Sequence, residues 1–380
     1  MKNNFFCRLV LRPAILIAAF VFTAVMTAGC SVSESDTETE KSEQPLVLMT
    51  WNVNNLFDGK DNGNEYDEFL ESEGWSKEKY LGRIINLSEA IDTIEPAPDI
   101  ILFQEIESLA VLEDLALSVK KNYSHIHFAN NQGSPIGLGI ISIFPLLDIK
   151  VHSITINGET APRPVLETRI QIKNDAFIIF ACHWKSKIGG DDATENVRRA
   201  SARVILRRIR ELSEKEPELG IIIAGDLNEN HDDFYRRGAK IICALLPDDP
   251  YCAGVTGIRD AGEKEIEFLQ KDFLIISKNK PPLPVHFPEN SITFYSPWTG
   301  DLMTGGELKT GSYFYKYNWE TIDHFLVSGH FFNNSGLEYE KSMIVNTSHF
   351  VNANGLPVPY NSRTGRGLSD HLPLLLLLKK

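Results

Sequence analysis

Several segments of this sequence are apolar along their whole length and then run directly into polar residues. They are "DIILFQE", "AFIIFACHW", "GIIIAGDLNEN", "TIDHFLVS" and "HLPLLLLL". A strand with one solvated face alternates apolar and polar residues, whereas strands this apolar are buried on both faces. Because helical segments alternate with them, the sequence predicts an α/β fold of stacked layers and excludes an all-β or all-helical one.

Helical and hairpin signals fill the spaces between these strands. In "SKEKYLGRIINLSEAIDTIE", residues 76–95, apolar residues recur at helical spacing, and Pro96 and Pro98 end the helix. Residues 194–214 predict a long, Arg-rich helix, and "RPVLETRIQI" with "AFIIFACHW" predicts a β-hairpin around "KNDA". Pro373 predicts that the last strand lies at a sheet edge or that this residue is one of its first.

The N-terminal 45 residues are expected to lie outside the fold. Residues 1–29 combine a basic head, a short apolar run and small residues before Cys30, which is typical of an export signal. The ending "TAGC" resembles a bacterial lipoprotein signal with Cys30 lipidated, although Thr27 stands where that pattern prefers Leu and leaves ordinary cleavage open. Ser31 after the cysteine favours the outer membrane over the inner one. Residues 30–45 are polar and acidic, which predicts a disordered tether.

Residues 46–380 have a uniform composition, which predicts one catalytic domain. The formal net charge is −13, and removal of the signal segment, with three basic and no acidic side chains, changes it to −16. This charge argues against a passive electrostatic binder of nucleic acid but not against an enzyme that recruits a divalent cation. No feature of the sequence requires an obligate protein partner.

Three cysteines follow Cys30, and their spacing does not match a zinc site. Export permits a disulfide between Cys243 and Cys252, which the sequence leaves open. Cys182 lies within an apolar strand, so we expect it to be a buried thiol.

Polar residues that bind metals or transfer protons stand at the strand ends. Taken singly, each has an ordinary structural explanation, such as a turn former, a solvated acid or a hydrogen-bonded core histidine. Taken together, they are expected to meet at one edge of a β-sheet, because neighbouring strands end there. Several carboxylates at this edge would repel one another without a cation. An all-oxygen ligand set suits Mg²⁺, Mn²⁺ or Ca²⁺. The residues are Asn52, Glu105, His183, Asp226, Asn228, Asp323, Asp370 and His371.

In this order, "TWNVNNLF", "ILFQE", "ACHWKSK", "AGDLNEN", "TIDHFLVS" and "SDHLP" resemble the motif series of the endonuclease/exonuclease/phosphatase (DNase I-like) superfamily. The resemblance spans nearly all of residues 46–380 and extends to a secreted bacterial nuclease-like branch. It implies a four-layer α/β sandwich, in which two packed mixed β-sheets are flanked by helices. It also implies metal-dependent hydrolysis of a phosphate ester.

The resemblance also implies roles for individual residues. Asn52, Glu105 and Asp370 are expected on the metal side, and Asp226 with Asn228 are expected to orient the attacking water and the phosphate. His371 corresponds to the catalytic histidine, Asp323 to the carboxylate that orients it, and His183 to a second histidine at the phosphate. An acid found in some relatives is replaced by Asn54, which argues against a second metal contact there.

Basic residues near the predicted site give weaker indications of the substrate. Lys185 and Lys187 follow His183 and are candidates for flanking phosphates, but they are equally compatible with solvated loop lysines. Arg163 is a further candidate. The arginines of the 194–214 helix predict a solvated, ion-paired face, from which Arg198 or Arg199 could reach the site.

These observations favour a divalent-metal phosphodiesterase, most simply an extracytoplasmic nuclease. The first alternative is a lipid-directed member that cleaves sphingomyelin or a phosphoinositide; against it, no separate aromatic hairpin is expected, although "SITFYSPW" and "SYFYKYNW" are aromatic. The second alternative is a non-catalytic surface binding protein, which would require a missing catalytic residue. The sequence shows none missing.

Overall fold

The computed structural model describes residues 44–303 and 310–380. The predicted signal segment, and the predicted tether up to residue 43, lie outside the described residues, so both remain predictions. Within the part of the chain that is described, no helix is both long enough and apolar enough to span a membrane.

Strands account for most of the regular structure. In chain order they are β1 (Leu46–Leu56), β2 (Ile100–Ile106), β3 (His125–Ala129), β4 (Gly137–Ser142), β5 (Leu147–His152), β6 (Thr155–Ile156), β7 (Glu159–Thr160), β8 (Val165–Ile172), β9 (Asp175–His183), β10 (Gly220–Asp226), β11 (Leu245–Pro247), β12 (Leu274–Ser277), β13 (Thr293–Tyr295), β14 (Tyr313–Tyr315), β15 (Asn318–Glu320), β16 (Asp323–Val327), β17 (Glu338–Ile344) and β18 (Leu374–Lys379).

The helices are fewer, and three of them are longer than seven residues. They are α1 (Lys77–Ile91), α2 (Leu109–Ser118), α3 (Asp191–Ser213), α4 (Asp233–Arg236), α5 (Pro250–Thr256) and α6 (Glu263–Leu269). Helix α1 begins after Ser76, whose hydroxyl accepts a hydrogen bond from the backbone N–H of Lys79, as an N-cap residue should.

Two large sheets carry the strands. The first has the order β17-β18-β1-β2-β4-β3 and the second β11-β12-β13-β16-β10-β9-β8-β5, and both mix parallel and antiparallel neighbours. Two short hairpins, β6-β7 and β14-β15, pair separately.

The sheets pack face to face, with helices on their outer faces. Buried residues of both sheets, such as Leu48 and Ile222, share one apolar cluster between them. A second cluster joins the other face of the first sheet to α1 and α2, and a third joins the second sheet to α3, for example through Leu206. The predicted four-layer α/β sandwich is therefore confirmed.

Individual elements also match the predictions, with a few shifts. Helix α1 ends at Ile91, a few residues before the prolines, and α3 begins at Asp191 rather than at residue 194. The hairpin β8-β9 is confirmed. Strand β18 lies between β17 and β1, so the edge position allowed for Pro373 is wrong; this residue directly precedes the strand. Cys182 is buried as expected, and Cys243 and Cys252 are free thiols, so no disulfide joins them.

Close packing of β9 against β10 leaves no room for a side chain at Gly225. This residue has a φ of +133°, and a Cβ atom there would lie 2.0 Å from the carbonyl oxygen of Cys182. Gly225 is followed by Asp226 at the end of the strand, so its fit controls the position of that carboxylate.

We therefore expect Gly225→Ala to lower the free energy of unfolding by about 3 kcal/mol or more, through steric and backbone strain. Gly82→Ala is the matched control, because Gly82 lies within α1 with open space at its Cβ position. That change should raise stability by about 0.5–1 kcal/mol. Urea unfolding measures both, and equal stabilities for the two variants would contradict this account.

Candidate active site

Three strands of the second sheet end side by side and present three of the predicted residues. In the pairing register, Asp226 on β10 lies opposite His183 on β9 and opposite Asp323 on β16. Residues directly opposite on neighbouring strands hold their side chains about 5 Å apart. The alignment of the strands is therefore sufficient to bring these groups together.

The first sheet contributes Asn52 and Glu105 at the ends of β1 and β2. Asn52 pairs with Gln104, and beyond this point the register shifts in a bulge. Asn54, Asn55 and Glu105 all adopt positive φ, at 56°, 61° and 68°. Asparagine tolerates this left-handed conformation, but a glutamate there is uncommon and indicates a locally constrained backbone.

The carboxamide of Asn52 connects the two sheets. Its Nδ2 donates to Glu105 Oε1 and to Asp226 Oδ2, both at 3.1 Å, while its oxygen accepts from the backbone N–H of Asn54 at 2.9 Å. Asn52 thus forms the predicted turn and also orders the carboxylates. In this orientation its oxygen, expected to face a metal, is turned to the backbone.

A buried arginine binds the backbone carbonyls of the same turn. Arg83 of α1 donates to the carbonyl oxygens of Asn54 and Asn55, both at 2.6 Å, and also to that of Val53. Asn54 is held in addition by the backbone N–H of Tyr360, which donates to its side-chain oxygen at 2.9 Å. The position of Glu105 depends on this turn, because the N–H of Asn55 donates to Glu105 Oε2 at 2.9 Å.

His371 and Asp323 form a hydrogen-bonded pair across the two sheets. His371 Nδ1 lies 2.8 Å from Asp323 Oδ2, and both side chains are buried. The bond fixes the ring so that Nε2 faces the site, 4.0 Å from Asp370 Oδ1. This is the arrangement expected of a histidine that is oriented by a carboxylate for work at its other nitrogen.

The backbone and one face of His371 are fixed by three residues that the sequence did not single out. Trp51 Nε1 donates to the carbonyl oxygen of His371 at 3.1 Å, and the hydroxyl of Ser369 accepts from the His371 N–H at 3.0 Å. The ring of Tyr313 stacks on the imidazole, with centroids 4.6 Å apart. Ser369 belongs to the motif "SDHLP", so the sequence contained a signal for it. For Arg83, which supports the turn described above, the signal was an arginine on the apolar face of a helix.

His183 faces both carboxylates at longer range. Its Nε2 lies 3.6 Å from Glu105 Oε1 and 3.6 Å from Asp226 Oδ2. Burial, with the positive charges of Arg163 and His371 nearby, lowers the pKa of His183 well below its usual value. It is therefore a neutral imidazole at physiological pH.

The pKa values of Glu105, Asp226 and His371 are raised, in contrast to that of His183. Burial raises the pKa of Glu105, and burial with the charge of Asp323 raises the pKa of Asp226 to about 7. Burial alone would lower the pKa of His371, but the charges of Asp323, Asp370 and Asp226 outweigh it and raise the pKa to about 10. A cationic histidine and a readily protonated carboxylate therefore lie side by side.

Asn228 and Arg163 lie at the edge of the site and bind the same backbone carbonyl. Both Asn228 Nδ2, at 3.1 Å, and Arg163 Nη1, at 2.7 Å, donate to the carbonyl oxygen of Trp184. The N–H of Asn228 donates to Asp226 Oδ1 at 2.9 Å, which forms the predicted turn. Burial raises the pKa of Glu105, and the positive charge of Arg163 opposes this rise.

The loop after β9 positions the two predicted lysines differently. Lys187 Nζ lies 2.5 Å from the largely buried carboxylate of Asp233, so its charge is already paired. Lys185 contacts Ser186 and the carbonyl of Ile188 at 3.4 Å, and burial together with Arg163 and Arg198 lowers its pKa.

Four arginines of α3 are ion-paired, namely Arg198, Arg199, Arg203 and Arg208. The prediction that the arginines form a solvated face is wrong for Arg198. This side chain is fully buried, pairs with Glu195 and Glu229, and donates to the carbonyl of Lys185 at 3.2 Å, so it supports the loop from behind. Arg199 pairs with Asp272. The cluster of Glu195, Glu229 and Cys243 is likewise neutralised by arginines rather than open to a cation.

The residues present fit a hard divalent cation. Four carboxylates, those of Glu105, Asp226, Asp323 and Asp370, interact with the cations Arg163 and protonated His371, which leaves a formal excess of two negative charges. Asp323 Oδ1 is buried without a hydrogen-bond partner. Carboxylate oxygens of Asp226 and Asp323 lie within 4.8 Å of each other and of a ring nitrogen of His371. Oxygen donors of this kind suit Mg²⁺, Mn²⁺ or Ca²⁺.

Comparison with known families agrees with this geometry. Residues 47–240, about half of the chain, match the sequence profile described as the Endonuclease/Exonuclease/phosphatase family. The chain belongs to this family. Members of the endonuclease/exonuclease/phosphatase family are hydrolytic phosphoesterases and typically depend on a divalent metal, so membership supports an enzyme of that class. A search of curated proteins gives no match.

The chain is also similar to solved structures. TDP2 from C. elegans has 15% identity and a TM-score of 0.45, covering 88% of this chain and 75% of that one. The human Nocturnin catalytic domain has 15% identity and a TM-score of 0.48, covering 88% and 94%. A family protein from Bacteroides thetaiotaomicron has 14% identity and a TM-score of 0.46, covering 88% and 94%. Likenesses this distant do not bear on the substrate.

We expect Asp323→Asn to lower the pKa of His371, because the neutral amide no longer stabilises the imidazolium. The measurement is an NMR titration of the imidazole resonances in metal-free protein. The exposed His349 serves as an internal control, because its resonances should be the same in both proteins. An unchanged midpoint for His371 would show that Asp323 does not control its charge.

Proposed function

We propose that this protein is a divalent-metal-dependent phosphodiesterase that acts outside the cytoplasm, and specifically a nuclease. The observation that carries the proposal is the cross-sheet pair of Asp323 and His371, which directs His371 Nε2 towards the carboxylate-rich centre. Protonated His371 is a cationic hydrogen-bond donor, and it lies beside carboxylates that could bind a metal cation. This combination suits a substrate with negative charge on several oxygens, such as a phosphate ester.

Glu105 and Asp370 are the residues that would hold the metal, with Asn52 ordering Glu105 beside it. When bound, the divalent cation would neutralise charge on the phosphate oxygens as a Lewis acid. The remaining chemistry can be assigned to side chains of the chain itself.

His371 and Asp226 have complementary protonation states for attack by water. His371, with a pKa of about 10, is protonated at neutral pH and donates from Nε2 to a phosphate oxygen. Asp226, with a pKa of about 7, accepts the proton of the attacking water, and the Asn228 N–H holds its other oxygen. His183, being neutral, is suited to donate a hydrogen bond to the phosphate or to the leaving group.

A nucleic acid substrate is supported by the positive edge of the site. Arg163 donates to the carbonyl oxygen of Trp184, which follows His183, and Lys185 is the next residue along the chain. Both cations would contact phosphates that flank the scissile group. The export-type segment of residues 1–29, with the lipoprotein-like Cys30, supports a location in the cell envelope, anchored by lipid or secreted. An extracytoplasmic nuclease of this kind would degrade nucleic acid outside the cell.

Binding of the metal should stabilise the protein through the site carboxylates. A cation at about 100 times its Kd stabilises the folded state by about 2.7 kcal/mol. Mg²⁺ or Mn²⁺ should therefore raise Tm in a thermal-unfolding scan, and Glu105→Gln should abolish most of this rise. Glu218→Gln is the control, because Glu218 is exposed. Equal rises in both variants would place the cation elsewhere.

Activity should be assayed with Mg²⁺ or Mn²⁺ on plasmid DNA, RNA, sphingomyelin and a chromogenic phosphodiester. We expect cleavage of nucleic acid that a chelator abolishes and that His371→Ala lowers by about 10²- to 10⁴-fold. His349→Ala, a change at an exposed histidine, should retain activity. Cleavage of sphingomyelin alone would favour a lipid-directed enzyme, and no cleavage of any substrate would favour a binding protein.

A further inference from the structure

An aromatic hairpin lies against His371. Strands β14 and β15, with the sequence "YFYKYNWE" across residues 313–320, form a two-stranded sheet of their own. The hairpin is attached to the segment before β18, where the N–H of Leu372 donates to the carbonyl of Ser312 at 2.7 Å and Tyr313 bridges to His371. The sequence did not predict this separate aromatic hairpin, and the structure contains it.

One face of this hairpin carries a stack of rings that begins at the active site. Tyr313 stacks on His371, and Tyr315 stacks on Tyr313 with centroids 6.0 Å apart and an interplanar angle of 15°. Tyr315 is 50% exposed, and Tyr317 at the turn is 93% exposed. The rings therefore lead outward from His371 into solvent.

The other face of the hairpin explains its attachment. Alternate residues of a strand point to opposite faces, and Phe314 on the second face packs edge-on against Trp319 at 5.2 Å. Trp319 in turn packs against the core cluster beside the first sheet. Phe314 and Trp319 thus have a structural role, whereas the tyrosine face has no such anchoring contact among the described residues beyond His371 and its own rings and Lys316.

We propose that Tyr315, extended by Tyr317, stacks on an unpaired nucleobase next to the scissile phosphate, so that single-stranded nucleic acid is the preferred substrate. This inference rests on the proposed phosphodiesterase function and specifies its substrate class. Aromatic side chains stack on every base, and they require a base face that duplex pairing and stacking would cover. Two tyrosine rings, those of Tyr313 and Tyr315, would separate this base from His371, so that its backbone extends towards the site.

The composition of the hairpin favours a nucleobase over a lipid surface. Residues 313–320 contain no aliphatic side chain, and the turn carries Lys316 beside Tyr317. The ammonium of Lys316 lies 5.0 Å from the centroid of the Tyr315 ring, where it can also meet a phosphate of a stacked strand. Membrane binding is therefore the competing outcome of the test.

The test compares full-length protein variants on two probes of equal length and charge. One is a labelled single-stranded DNA oligonucleotide, and the other is the same backbone with abasic tetrahydrofuran units. We expect Tyr315→Ala to reduce the preference for the base-bearing probe, measured as the ratio of kcat/KM values, by about tenfold or more, mainly through KM. Tyr315→Phe should restore it, because the ring remains. Tyr251→Ala, at a tyrosine 57% exposed on α5, should behave as wild type.

An unchanged ratio in Tyr315→Ala, or an equal loss on both probes, would overturn the inference. So would cleavage of a duplex as efficient as that of the single strand, or metal-dependent cleavage of the chromogenic diester without cleavage of the oligonucleotide; in these cases the phosphodiesterase itself would stand. Binding to sphingomyelin–phosphatidylcholine vesicles that Tyr315→Ala and Tyr317→Ala abolish would assign the hairpin to lipid. Absence of cleavage of every diester would instead refute the proposed function.

Discussion

The carboxamide of Asn52 holds carboxylates from two different sheets in one place. One sheet supplies Glu105 and the other Asp226, and both accept from the same Nδ2 atom. This contact is possible only because the sheets pack with these strand ends at a common rim. The rest of the site follows from that packing, since the Asp323–His371 bond spans the same junction.

The convergence of these carboxylates also determines the charge states of the groups in the site. Burial of several carboxylates close together raises the pKa of Glu105 and of Asp226, while their charges raise the pKa of His371. The pKa of His183 is lowered instead, by burial and by the positive charges of Arg163 and His371. Two histidines of the same type thus take different charge states because of their surroundings, and a divalent cation would complete the neutralisation.

Much of this arrangement follows from sequence because it depends on strand periodicity. Apolar strands that end in polar residues predicted the layers and the rim, and the motif order predicted which residues meet there. The turn at Asn52 and Asn54 was also predictable, since asparagine favours that geometry. Asn52 forms this turn with its side-chain oxygen and orders Glu105 and Asp226 with its side-chain nitrogen.

Other features depended on tertiary contacts that no local pattern records. The positive φ of Glu105 is imposed by the bulge between β1 and β2. The burial of Arg198 arises from two glutamates, one of them on a distant loop. The segment between β10 and β16 contains short helices and the strands β11, β12 and β13, which extend the second sheet to its β11 edge. The tyrosine stack on His371 required the contact between residues 313 and 371, far apart in sequence.

The central claim is that these residues surround one hard cation. Anomalous X-ray diffraction from crystals grown with Mn²⁺ tests it most directly. The account predicts a peak within about 2.0–2.6 Å of carboxylate oxygens of Glu105 and Asp370, on the side of the site that His371 Nε2 faces. A peak confined to the Glu195, Glu229 and Cys243 cluster, or none at saturating Mn²⁺, would contradict it.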